Sequence, residues 1–146
     1  MTLDECFERR QLRSVAADPL KARSSVQTAS DKLKQAQELA GAGFAQVALV
    51  TAYAAMFHAG RALLYRDGIQ EKSHYCLVLY LREKYVKTSL IESRFITIMD
   101  ALREERHDVM YSIEKVNVKS SEVNFAIKTA GDFIKKVELI LSKEKT

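Results

Sequence analysis

The sequence predicts an all-α fold, an up-and-down bundle of four to five long antiparallel helices with one short extra helix. Three observations carry this reading. One proline and five glycines in 146 residues leave little material for β-hairpins. Apolar residues recur at three- and four-residue spacing along most of the chain. Helix-start signals precede four of those stretches.

The first helix is expected from about Leu3 to Ala16, because Thr2-Leu3-Asp4-Glu5 has capping-box spacing. Asp18-Pro19 then supplies an N-cap followed by proline at the first helical position. The helix it opens carries Ala22, Val26, Ala29, Leu33, Ala36 and Ala40 on one side and stops at Gly41-Ala42-Gly43. A third helix, Phe44 to Arg66, is apolar nearly all round and rich in alanine, so it should be the central element. Asp67-Gly68 ends it. Ser73 caps a shorter helix reaching about Tyr85. Ser89-Leu90-Ile91-Glu92 has capping-box spacing and is expected to start a fifth helix ending near Ile113. After a polar connection from Glu114 to Ser121, the sixth helix shows a seam of Val123, Ile127, Ala130, Ile134, Val137 and Leu141. Residues 1–146 read as a single domain with one core.

Composition narrows the function classes. The net charge of +4 biases the surface toward anionic partners without naming one. Cys6 and Cys76 have no close ligand spacing and no secretory leader precedes them, so both are expected to be reduced thiols in a cytoplasmic protein. Ala45 to Leu64 is the only candidate membrane span, and Gln46, Thr51, His58, Gly60 and Arg61 interrupt it, so no membrane association is expected. His58, His74 and His107 are not spaced as a metal pair on one helix, and no glycine-rich phosphate loop exists. No metal and no cofactor is therefore expected.

The residues that invite chemistry lie in Arg106-His107-Asp108-Val109-Met110-Tyr111. At about 100° per residue, Ile91, Phe95, Ile98, Leu102, Val109 and Ile113 form one apolar seam, and Arg106 falls inside it. A guanidinium is always charged, and burying it without an acceptor costs several kcal/mol. Either an internal carboxylate pairs with it, or it looks into a groove where an anion or partner supplies the acceptor. A second face of the same helix carries Ile96, Asp100, Arg103, His107, Met110 and Tyr111, residue types enriched at subunit interfaces. Asp100 and Arg103 have the spacing of an ion pair. On the central helix, Thr51, His58, Arg61 and Tyr65 form a minor polar stripe. Lys72-Ser73-His74 sits at a helix start where backbone N–H groups and a lysine suit a phosphate, although a cap alone explains Ser73.

The alanine-rich stretch from Thr51 to Leu64 with His58, Gly60 and Arg61, the following Gly68, the Lys72-Ser73-His74 turn, and Arg106 with Tyr111 on a late helix together resemble the HEPN family. The resemblance covers nearly the whole chain, most clearly from the second helix onward. It implies a helical bundle that forms a homodimer through the central and late helices. It also implies a cytoplasmic setting in which many members are metal-independent ribonucleases, often toxins, or partners of a small nucleotidyltransferase. Their active site resembles an arginine, a polar neighbour and a histidine a few residues further on. Here Arg106 and His107 match the first two, but Tyr111 stands where the histidine belongs. With a pKa near about 10, a tyrosine is a poor base at neutral pH.

The resemblance thus implies a nucleotide- or RNA-binding or regulatory module in a toxin–antitoxin-type system, with Arg106, His107, Asp108, Tyr111, Arg61, His58 and Lys72 as ligand-binding candidates. The alternative it leaves open is a metal-independent ribonuclease that uses Arg106 and His107, with Tyr111 as a third candidate catalytic group.

Overall fold

The computed structural model describes residues 1–112 and 116–143. Ile113, part of the connection before the last helix, and the final lysine of the tail lie outside the described residues. Four long helices dominate: α2 (Pro19–Gly41), α3 (Ala45–Asp67), α5 (Ser93–Tyr111) and α6 (Ser120–Ser142). The shorter α1 (Leu3–Glu8) and α4 (His74–Leu81) complete the helical set, and α4 continues into a π-helical stretch over Arg82–Val86. The fold is all-α, as the periodicity requires.

The capping signals act where the sequence places them at three of the helix starts. Thr2 and Glu5 close a reciprocal capping box, the Asp18 side chain accepts from the Lys21 N–H, and Ser73 accepts from the Cys76 N–H. The expected box at Ser89 does not form. Ser89 takes a left-handed backbone with φ 63°, and α5 begins four residues later with Glu92 as a cap that makes no side-chain bond. Ile91 is buried, but from the loop rather than from the helix.

The first helix is much shorter than its pattern suggests. After Glu8 the chain turns at Arg10, with φ 57°, and enters a short strand β1 (Leu12–Ser14). It pairs antiparallel with β2 (Ile69–Glu71), Leu12 facing Glu71 and Ser14 facing Ile69. Three residues per strand are too few to show a two-residue alternation, and the partners are far apart in sequence, so no local signal announces them.

This clip folds α1 onto α4 and corrects the reading of the cysteines. Cys6 and Cys76 are both fully buried and joined in a disulfide, with Cα atoms 5.9 Å apart. Neither is a free thiol. Their pairing depends on the α1 turn and the β1–β2 register, which spacing along the chain does not show.

The central position of α3 follows from its composition. Ala48, Ala52, Ala55, Ala59 and Ala62 are buried along it, and α2, α5 and α6 all pack against it. By length and composition it could cross a membrane, but most of its apolar window is buried by the other helices, the position of a core helix. At Gly60 an added Cβ would stand 3.0 Å from Leu81 Cδ1 and 3.3 Å from Leu77 Cδ2, so the missing side chain is what lets α4 lie close to α3. The α2 seam is built the same way, with Ala22, Ala29 and Ala36 fully inside.

At the far end of α3, Gly68 takes φ 74° and caps the helix in the left-handed conformation. Asp67 accepts from both Tyr80 Oη (2.9 Å) and Tyr85 Oη (2.7 Å). The π-helical stretch places Tyr85 for that bond, and burial with the adjacent carboxylate pushes both phenols well above their ordinary range.

Candidate functional site

Three elements converge on one side chain, Tyr53 of α3, which is 2% exposed. Its hydroxyl lies 2.7 Å from Nδ1 of His74 in a hydrogen bond. His74 is the first residue of α4, so the Ser73 cap that fixes the helix start also fixes the ring. The imidazole stacks on Phe57, with centroids 4.1 Å apart, and Phe57 in turn carries the Arg61 guanidinium at 4.6 Å. Phe57 and Arg61 follow Tyr53 at four-residue steps, so one face of α3 presents all three. β2 delivers Glu71, whose largely buried carboxylate pairs with Arg61 Nε at 2.5 Å.

From the other side α5 brings two more arginines. Arg103 lies 5.3 Å from the Tyr75 ring centroid and is paired with Asp100 at 2.9 Å and Glu104 at 3.6 Å. The Asp100–Arg103 pair is the one the spacing predicts. Arg106 is different. Its guanidinium sits 5.4 Å from the Tyr53 centroid and touches Met110 Sδ at 3.9 Å, and no carboxylate pairs with it among the described residues. Its Nε is buried and has no hydrogen-bond partner. A buried donor left without an acceptor costs about 1–3 kcal/mol, more when charged, so it marks a place where an acceptor is missing.

The electrostatics agree with that geometry. Burial, then Arg106, Arg61, Arg103 and His58, hold His74 down to about 4, so its imidazole is neutral at pH 7. Burial, opposed by Arg106 and Arg103, raises the Tyr53 phenol to about 12, so it keeps its proton. The cluster therefore carries positive potential, a neutral imidazole and a phenol hydroxyl, with one guanidinium uncompensated. It suits a phosphate oxygen.

Because the folded-state pKa of His74 lies below the unfolded value of about 6.5, the unfolded chain binds more protons between the two values. Stability should be level above pH 6.5 and fall as pH drops toward 4. His58, lowered by burial, Arg61 and Lys32, acts in the same direction. Urea unfolding at pH 7 and at pH 5 should show the loss, and His74→Phe should reduce it.

The candidates from the sequence separate into three groups. Arg106 and Arg61 come together around Tyr53 and His74. His107 and Tyr111 lie side by side on the exposed side of α5, ring centroids 5.0 Å apart with planes tilted by 49°, where Tyr111 is 64% exposed, and Asp108 is exposed as well. His58 faces α2 across a separate concavity, and Lys72 is exposed, with only its backbone N–H engaged, by Gln11.

The apolar seam of α5 also moves. Phe95, Ile96, Met99 and Leu102 are its buried residues, while Ile98 and Val109 are only partly covered. Ile96 belongs to the core rather than to the interface face, and Arg106, one turn beyond Leu102, is half-buried at the end of that row.

Tyr53 and His74 lie on different helices, so no spacing along the chain pairs them. The one available signal was the run Tyr53, Phe57, Arg61 at four-residue intervals. Among the described residues no group of three His, Cys, Asp or Glu side chains could hold a metal ion. A family model for the HEPN domain matches residues 22–140, from the first turn of α2 to the last turns of α6. No curated protein matches the chain.

Proposed function

The chain belongs to the HEPN domain family, nucleotide- and RNA-binding or nuclease-like modules, and from that premise we propose that it binds the phosphate of a nucleotide or RNA at the Arg106 guanidinium as a regulatory module. The observation that carries this reading is the Arg106 guanidinium, half-buried over Tyr53 with its Nε–H unanswered and no carboxylate paired with it among the described residues. A phosphate, like a carboxylate, can accept two parallel hydrogen bonds from the fork of a guanidinium. Met110 and Tyr111, exposed on the last turn of α5, support pairing of two copies through this end of the helix. A small nucleotidyltransferase encoded alongside it in a toxin–antitoxin-type pair, working in the cytoplasm, is the partner system this reading favours.

Arg106→Ala should weaken binding of a labelled RNA or nucleotide by about ten- to hundredfold, the value of one charge-assisted hydrogen bond, while circular dichroism and melting stay close to wild type. Unchanged affinity, or an unfolded variant together with a wild type that binds neither ligand, would contradict the proposal. A second reading is a metal-independent ribonuclease in which Arg106 holds the phosphate and the exposed His107 moves the proton, since His74, held down to about 4, is a weak base. RNA recovered at full length from the same incubations speaks against it.

A further inference from the structure

We propose that the concavity between α2 and α3, on the far side of Arg61, is a second phosphate seat, so that the chain takes a single-stranded oligonucleotide over two phosphates rather than a mononucleotide over one. The proposal rests on the reading that Arg106 holds a phosphate.

This open concavity has a volume of about 240 Å³ and is lined by Lys21, Ser24, Ser25 and Thr28 of α2 with His58, Arg61 and Tyr65 of α3. No carboxylate lines it. Lys21 makes no ion pair among the described residues, and its ammonium lies 5.7 Å from the Tyr65 ring centroid. The neighbouring Ser25 hydroxyl already donates to the His58 carbonyl at 2.7 Å, and the Thr28 hydroxyl to the Ser24 carbonyl at 3.0 Å, which leaves the Ser24 hydroxyl and the Lys21 ammonium as open donors. The His58 imidazole pKa is lowered first by burial and then by the nearby Arg61 and Lys32.

Arg61 is the wall between the two sites. It rests on Phe57, which also stacks on the His74 ring, and it lines the α2–α3 concavity, held in place by Glu71. From Tyr53 to Tyr65 the α3 axis covers about 18 Å at 1.5 Å per residue, longer than one nucleoside monophosphate. Each seat also sets a cation beside an aromatic ring that solvent reaches: Lys21 with Tyr65, and Arg103 with Tyr75, at 5.3 Å. A cationic track with rings alongside is how proteins hold single strands without reading their sequence, bases stacking while phosphates are neutralised.

The test compares uridine monophosphate with an eight-nucleotide oligouridylate by titration against wild type, Lys21→Ala and Arg106→Ala between about 50 and 200 mM salt. Lys21 is exposed in the first turn of α2, and the variant should fold normally. The octamer should bind wild type at least tenfold tighter than the monophosphate. Lys21→Ala should cost the octamer several-fold, flatten its log K against log salt slope by about 0.7, and leave the monophosphate unchanged. Arg106→Ala should weaken both ligands. If the octamer binds no tighter than the monophosphate, or Lys21→Ala leaves its affinity and slope unaltered, the second seat is overturned while the Arg106 site stands. If Lys21→Ala abolishes octamer binding and Arg106→Ala does nothing, the Arg106 reading fails and the two-seat arrangement with it. Absence of binding by either ligand overturns both.

Discussion

Gly68→Ala should destabilise the protein by about 3 kcal/mol or more, a large part of the roughly 5–15 kcal/mol that holds a domain folded. Two separate causes add. At φ 74° an L-residue is held in the left-handed region, which costs about 1–2 kcal/mol. A Cβ there would also lie 2.6 Å from the Val15 carbonyl oxygen and 3.3 Å from the Ala17 N, both backbone atoms that cannot rotate away. The approach is close because Val15 donates its N–H to the Gly68 carbonyl at 2.8 Å and Asp18 donates to the Tyr65 carbonyl at 2.9 Å, locking the β1–α2 junction to the end of α3. Gly43→Ala is the internal control. Gly43 has φ 86° but nothing within 4 Å, so it reports left-handed strain alone. Urea midpoints should therefore fall further for Gly68→Ala than for Gly43→Ala. Equal losses would mean that the Val15 contact does not matter.

Reduction should have an effect of similar size. The Cys6–Cys76 bond closes a loop with a sequence separation of 70, and restraint of that length in the unfolded chain is worth about 2–5 kcal/mol. The bond also ties α1 to the first turn of α4, two residues past His74. Melting in the presence of a phosphine reductant should drop clearly, and the double variant Cys6→Ala, Cys76→Ala should melt low with or without it. Identical melting curves for the wild type in both conditions, with two titratable thiols before reduction, would show that the bond does not form.

How much was legible depended on whether a signal was local. The α2 seam, the nearly uniform apolar surface of α3 and the caps at Asp18 and Ser73 are local, and each falls where its residues place it. The β1–β2 pair and the disulfide join segments distant in sequence, and nothing in either segment announces the other. The start of α5 was misplaced because Ser-x-x-Glu spacing is necessary for a capping box but not sufficient: the left-handed Ser89 puts the box out of reach. Within the site, Arg106 was visible as a charge among apolar neighbours. His74 was not visible as its neighbour, because α4 approaches α3 through Gly60, a packing relation that one sequence does not display.

The most direct test follows the Arg106 side chain itself by NMR, observing its Nε–H resonance, assigned by its loss in Arg106→Lys, as uridine monophosphate is added. A new acceptor on a previously unanswered, buried donor should move that signal and slow its hydrogen exchange, with the His74 ring signals moving in the same titration. An Nε–H resonance that stays fixed and unprotected while the nucleotide binds would mean that the phosphate goes elsewhere and that Arg106 has no part in holding it.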